Sequence, residues 1–380
     1  MPLEFLSSRW PQREFAQSPG ESFPCTRSCK GKILNHRNRL GTFLPSAFLL
    51  TLLGSMAGCG GTKNPEKEAA AKESNAPNAS AADAPPDMSK SVTFGRFAAH
   101  HERSLAVDLL VARKNFKSQF RVKGPAPQPF QNERPPEGVK EVTYESGELK
   151  LKGWLGTGRQ NQKGEKAEKA EKKKPAVVFL HGGFAFSKDD WKDAEPFLKA
   201  GYVLFMPTLR GENGNPGFYE SFLGEVDDAV AAGRFVASLP EVDPQRIFIA
   251  GHSSGAVLAC LASMVPTVYK AAATFDGYLD MESWALGSDP ALVPYDPKQS
   301  VEIFVRNPQS FVESVRCPLR LYASPAGARA NQPFANRAKH LGKKYELVIV
   351  PGDHQSMVAP AIQLAIAWFQ EVQEVATPSK

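Results

Sequence analysis

Two side chains of this sequence stand where they could carry out nucleophilic chemistry. Ser253 lies in Gly251-His252-Ser253-Ser254-Gly255, between an apolar run of strand length, RIFIAG, and a helical stretch beginning AVLACLAS. A serine at such a strand-to-helix turn is presented on a strained backbone, and flanking glycines let the neighbouring segments pack closely. A neutral hydroxyl is a poor nucleophile until a base takes its proton. Of the seven histidines, His36, His100 and His101 precede the folded region and His252 sits in the turn itself. His340 falls in a predicted helix among lysines, and His181 ends the run AVVFLH. His354 remains, in Pro351-Gly352-Asp353-His354 on the loop between the last predicted strand and the last helix, as the candidate base.

Attack on a carbonyl builds negative charge on its oxygen, which needs fixed N–H donors. The backbone N–H of Ser254 is one candidate; the turn His181-Gly182-Gly183-Phe184 offers a second, from Gly183 or Phe184. A further group must orient that histidine, and the stretch from Pro318 to Tyr345 that leads to its loop holds neither Asp nor Glu. Asp276, which ends the preceding strand in TFDGYLD, is the favoured acid, with Asp280 four residues on as its neighbour. The competing reading of these carboxylates is a cap on the following helix, and Asn331 could orient His354 without charge.

These residues need a scaffold. Apolar runs of strand length alternate with helical patterns: strands at 176–181, 202–207, 246–251, 271–276, 318–324 and 345–352, and helices at 191–199, 225–239, 254–264, 332–341 and 360–375. Continuous apolar strands separated by helices predict an α/β fold, a mostly parallel doubly wound sheet with helices on both faces. Such sheets bind ligands at the carboxyl ends of their strands, where all the candidate residues fall. EVTYES and LKLKGWL read as a hairpin leading into the sheet, and the Lys-rich stretch 157–174 as a solvated loop. The segment Trp284 to Val315 is expected to cap the cleft, with Trp284, Phe304 and Phe311 either lining it or serving as core.

The glycine-flanked serine in its strand–turn–helix context resembles the nucleophile elbow of the α/β-hydrolase superfamily, in which the chain order is serine, acid, histidine. The runs Pro207-Thr208-Leu209-Arg210-Gly211-Glu212-Asn213-Gly214-Asn215-Pro216-Gly217, Gly224-Glu225-Val226-Asp227-Asp228 and Val242-Asp243-Pro244-Gln245-Arg246 are similar to the catalytic domain of the prolyl-oligopeptidase (S9) and dienelactone-hydrolase group. The resemblance covers residues 140–375 and implies cofactor-free serine hydrolysis of an ester or amide. It also implies that His181 shapes the oxyanion turn and that Arg210 and Asp228 form a buried ion pair. Two departures stand out. The segment 91–140 is far too short for the propeller of the oligopeptidases, which favours an esterase-like enzyme acting on a small-molecule ester or short peptide. The acid is missing from its usual place, and Ala256 stands where related enzymes often carry a second glycine. A catalytically degenerate scaffold or binding protein, or a small-peptide peptidase, are therefore the alternatives to an active esterase.

Composition adds a location. The net charge is +6, but residues 1–58 hold seven Lys or Arg against three Asp or Glu, so only +2 belongs to the rest, too little to argue for nucleic acid. The five cysteines show no disulfide framework and no paired metal-ligand spacing; Cys260 and Cys317 read as small buried hydrophobes. Lys30, Lys32, Arg37 and Arg39 head an uncharged stretch from Leu40 to Thr62 that is too broken to span a bilayer as a stable helix. Its ending, Met56-Ala57-Gly58-Cys59, resembles the lipobox of bacterial lipoproteins, which implies lipidation of Cys59; an uncleaved membrane anchor is the alternative. Gly60 after the cysteine then points to the outer membrane of a Gram-negative cell. The expected organisation is an export signal with an extended leader at 1–58, a tether at 59–90, a helical extension with a Pro-rich linker at 91–139, and the catalytic domain at 140–375.

Overall fold

The computed structural model describes residues 108–158 and 172–375. The expected export signal, Cys59, the tether, residues 91–107 of the extension and residues 159–171 of the Lys-rich loop lie outside that range.

After a short helix, α1 (Leu109–Arg113), the hairpin forms as β1 (Val139–Ser146) and β2 (Leu149–Gly156), antiparallel with Val139 opposite Gly156 and Ser146 opposite Leu149. The alternating elements follow as β3 (Lys174–Leu180), α2 (Lys188–Lys199), β4 (Val203–Pro207), α3 (Gly224–Ala237), β5 (Val242–His252), α4 (Ser254–Ala262) and β6 (Ala272–Phe275). Two short helices, α5 (Met281–Gly287) and α6 (Ser300–Phe304), and two 3-10 turns fill the segment before β7 (Leu319–Ala323). The chain ends with α7 (Pro325–His340), β8 (Tyr345–Ile349) and α8 (Val358–Val375). One eight-stranded sheet results, in the order β1-β2-β4-β3-β5-β6-β7-β8. Strands β3 to β8 pair parallel, and β2 joins β4 antiparallel.

The strands read as unbroken apolar runs because both faces are covered. On one face α3, α4 and α7 pack Val226, Val230, Leu258, Leu261 and Phe334 against the sheet. On the other, α2 and α8 bring Trp191, Phe197, Ile362 and Phe369, with Phe369 stacked 4.4 Å from Phe248 of β5. The ion pair implied by Arg210 and Asp228 is present and buried: the guanidinium donates from Nε and Nη2 to the two carboxylate oxygens at 2.9 and 2.8 Å. Ser146 Oγ donates to the same carboxylate at 2.6 Å, so the pair joins β1, α3 and the loop after β4. Cys260 is buried and Cys317 half-buried, both as free thiols.

The main departures from the sequence reading lie at the edges. α7 begins at Pro325, seven residues before the predicted start, because Ser324 caps it and Pro325 occupies a first-turn position that needs no N–H. The stretch PAGARANQP is thus helix, not loop. Among the described residues the extension forms the single turn of α1, and the Pro-rich stretch, expected as a linker, is fastened to the domain instead. Ala126 N–H donates to the Gly211 carbonyl at 2.8 Å and the Gly124 carbonyl accepts from Tyr219 N–H at 3.0 Å. Among the described residues no helix is long and apolar enough to cross a membrane.

Candidate active site

Ser253 sits at the junction of β5 and α4 with φ 56° and ψ −115°, a conformation non-glycine residues rarely adopt and one that costs about 1–3 kcal/mol. The turn is sharp enough that both flanking glycines are sterically required. A Cβ on Gly251 would lie 2.3 Å from the Gly255 carbonyl oxygen, and one on Gly255 would lie 2.2 Å from that of Leu180 in β3. Ala256, the unusual residue after the motif, is accommodated because Gly277 faces it: a Cβ there would come within 2.7 Å of the Ala256 methyl.

His354 lies on the loop after β8, shaped by Asp353, whose carboxylate accepts from the N–H of Gln355 and Ser356 and from Ser356 Oγ. Its Nε2 is 3.1 Å from Ser253 Oγ and its Nδ1 is 2.9 Å from Asp276 Oδ2. An ionised carboxylate only accepts, so Nδ1 carries the proton and Nε2 is left to accept from the serine hydroxyl. Asp276 is nearly buried (5% exposed side chain) and His354 half open to solvent (54%). Burial raises the Asp276 carboxyl, but the hydrogen bonds from His354 and from the Ser324 N–H, at 2.8 Å to Oδ1, outweigh it and hold the group below its ordinary value.

The early start of α7 therefore does two things. It removes the loop that would carry the acid after β7, and it aims the helix N-terminus at a carboxylate on the neighbouring strand end instead. Asp276 adopts φ 48°, which aspartate tolerates, and a Cβ at Gly327 in the first turn of α7 would fall 2.0 Å from its Oδ1. The two rival orienting residues have other duties. Asp280 caps α5, accepting from the N–H of Glu282 and Ser283. Asn331 accepts from Leu279 N–H at 3.1 Å and donates to the Gly277 carbonyl at 2.7 Å, pinning the loop that follows Asp276 without touching His354.

The turn 181–184 packs directly on Ser253: a Cβ on Gly182 would lie 3.4 Å from Ser253 Cβ. Of the two N–H groups considered there, that of Phe184 is taken: it donates to Gln128 Oε1 at 2.8 Å. The N–H groups of Gly183 and Ser254 have no acceptor among the described residues. Ser254 Oγ donates to the Gly183 carbonyl at 2.6 Å, tying the turn to the start of α4. Beneath the turn, His181 donates from Nε2 to Glu212 Oε2 at 3.0 Å, while Nδ1 faces the Gly182 carbonyl at 2.9 Å. Burial opposes charge on this ring, but Glu212 overcomes it and lifts its pKa to about 9, so a buried imidazolium supports the turn.

His252 is a second histidine whose role the sequence reading passed over. Its Nε2–H donates to the His354 carbonyl at 3.1 Å, and burial together with the neighbouring His354 ring lowers its pKa to about 4, leaving it neutral. The three aromatic residues of the cap separate: Phe311 is fully buried core, while Trp284 packs 6.4 Å from Phe184 and 5.2 Å from Phe222. Phe304 lines a cavity of about 520 Å³ with Ile303, Pro333, Phe334 and Arg337.

The profile of the alpha/beta hydrolase family matches residues 177–376. Among curated proteins none matches the sequence. The structure is similar to a puromycin-hydrolyzing peptidase of Mycobacterium tuberculosis, with a TM-score of 0.53 and 19% identity over 63% of this chain and 40% of that one. It is also similar to an esterase of Pyrococcus furiosus, TM-score 0.50 and 19% identity over 66% of this chain and 98% of that one. A thermostable carboxylesterase cloned from a metagenomic library gives a TM-score of 0.50 and 18% identity over 63% and 90%. This chain thus spans 40% of the peptidase but nearly all of each esterase, and at these identities the likeness is one of fold. Since the family profile covers more than half of the chain and the sheet has the fold of these hydrolases, the chain belongs to the alpha/beta hydrolase family.

Proposed function

We propose that this chain is a serine hydrolase that cleaves a small-molecule ester or short peptide amide through an acyl-enzyme. The observation that carries the reading is the unbroken line of contacts from Ser253 Oγ through His354 to Asp276, at 3.1 and 2.9 Å. Ser253 Oγ attacks the substrate carbonyl carbon while its proton passes to His354 Nε2. The negative charge that forms on the carbonyl oxygen meets the N–H groups of Ser254 and Gly183. His354 then gives its proton to the departing alkoxide or amine, and the carbonyl reforms as a serine ester. Water, deprotonated by His354, repeats the sequence and releases the acid, and the proton returns to Ser253. Asp276 stays ionised throughout and stabilises the imidazolium, as its depressed pKa requires.

A scaffold reading rests on a missing acid and on Ala256. Asp276 now stands within hydrogen-bond reach of His354 and Gly277 makes room for Ala256, so neither motive supports it. Fluorophosphonate labelling tests the proposal: the purified protein should label at Ser253 and S253A should not. A folded protein that resists labelling would sink it. Turnover of p-nitrophenyl esters with no turnover of aminoacyl amides would assign an esterase; hydrolysis of both would assign a peptidase. We further propose that lipid attached to Cys59 holds the enzyme on a membrane outside the cytoplasm, a reading that rests on the lipobox-like ending at Cys59.

A further inference from the structure

The turn that brings Gly183 to the nucleophile contains two adjacent glycines, the residues with the widest backbone freedom, so something outside the turn must hold it. The peptide between Gly183 and Phe184 is held at both ends. Its carbonyl accepts from Ser254 Oγ at 2.6 Å, and its N–H donates to Gln128 Oε1 at 2.8 Å. Gly183 has φ +67°, and a Cβ there would lie 2.6 Å from Gln128 Oε1, so only glycine lets the carboxamide reach the peptide.

Gln128 comes from outside the sheet-and-helix framework, 56 residues before its partner. It stands between Pro127 and Pro129, which fix φ and favour an extended backbone on either side. The segment is anchored on both sides of it: by the bonds of Gly124 and Ala126 to the loop after β4, and by Glu133, whose carboxylate accepts from Lys188 N–H at 3.0 Å at the start of α2. The strap therefore grips both the oxyanion turn and the helix that follows it.

We infer that Gln128 is a positioning residue for the oxyanion hole: by holding the Gly183–Phe184 peptide it keeps the adjacent Gly183 N–H aimed at the substrate oxygen. The inference rests on the serine-hydrolase reading above. Gln128 does not touch the reacting atoms, and its carboxamide oxygen, as an acceptor, could not itself stabilise an oxyanion. The contribution is realised when charge develops on the substrate, so it belongs to kcat and not to substrate affinity.

The test compares the full-length wild type with Q128M, which keeps the side-chain length and removes the acceptor, and with Q128A. Gln128 is exposed, so both variants should fold with an unchanged melting temperature. With a p-nitrophenyl ester, both should lose about tenfold in kcat, the order expected for one hydrogen bond, with KM within about twofold of wild type. The rate of fluorophosphonate labelling, in which the phosphoryl oxygen enters the same site, should fall in parallel. An unchanged kcat overturns the inference, and so does a raised kcat, which would make Gln128 a competitor for the Phe184 N–H. A wild type that does not label at all would instead remove the hydrolase reading, so the two failures are distinct.

Discussion

At the scale of single residues, the acid is the point on which structure and sequence had most to say to each other. Three groups were candidates for orienting His354, and each now has a defined set of partners. Asp276 bonds the imidazole, Asp280 caps α5, and Asn331 pins the loop between them. Replacing Asp276 by asparagine would favour the wrong histidine tautomer and should lower kcat by about 10⁴-fold. D280N should leave kcat within about twofold, since asparagine caps helices as well as aspartate does. Steady-state kinetics of the two variants checks the assignment, and equal losses in both would reject it. Asp276 and Asp280 were both legible as carboxylates at a strand end, because residue type and strand position are local properties. Which of them reaches His354 was not, because that depends on a residue 78 positions away.

At the scale of elements, the early start of α7 and the charged layer under the oxyanion turn do the positioning. Two buried groups there make stability depend on pH. His181, lifted from 6.5 to about 9 by Glu212 against the cost of burial, contributes stability that is complete below pH 6.5 and is lost as pH rises through 9. Glu225, at the start of α3, is pushed by burial from 4.5 to about 7, so its favourable protonated form is lost as pH rises from 4.5 through 7. These two terms have the same sign, whereas His252, lowered from 6.5 to about 4, adds stability as pH rises from 4 to 6.5, so the net decline is expected from pH 6.5 to 9. E225Q should leave a stability that rises between pH 4.5 and 6.5, and H181N should flatten the decline between 6.5 and 9. Denaturant melts at successive pH values would read this, and a wild-type stability that rises between pH 7 and 9 would contradict it. The helix starts that frame the site were only partly readable. Ser187 and Asp190 form a capping box at α2, a local pattern, whereas the role of Gly327 as space for the Asp276 carboxylate leaves no trace in its own neighbourhood.

At the scale of the whole molecule, the folded region is wrapped by its own N-terminal segment. Arg113 donates to the carbonyls of Phe222, Leu223 and Val305, and Glu302 accepts from Ser118 Oγ and Gln119 N–H while paired with the buried Arg306. Residues 108–136 therefore tie the segment 284–315 to the loops around Ser253, although the prolines of 125–136 read as a linker. Upstream of them, the proposed lipid anchor predicts that the protein expressed in a bacterial host partitions into the membrane fraction and incorporates a labelled fatty acid. C59A should appear in the soluble fraction without label; membrane retention of unlabelled C59A would favour the uncleaved anchor.

The sequence by itself determined the order of strands and helices, and it singled out Ser253 and His354 as the candidate nucleophile and base. Apolar runs bounded by turn residues specify a buried parallel sheet, and the two glycines around Ser253 are demanded by contacts within a single turn and its neighbouring strand. Only the tertiary structure decided which carboxylate meets His354, which N–H of the turn 181–184 is taken by Gln128, and where the Pro-rich strap is fastened. These depend on which strand ends the parallel pairing of β6, β7 and β8 brings side by side, and on a carboxamide carried in from outside the sheet. Such meetings arise between segments far apart in the chain, and no local pattern encodes them.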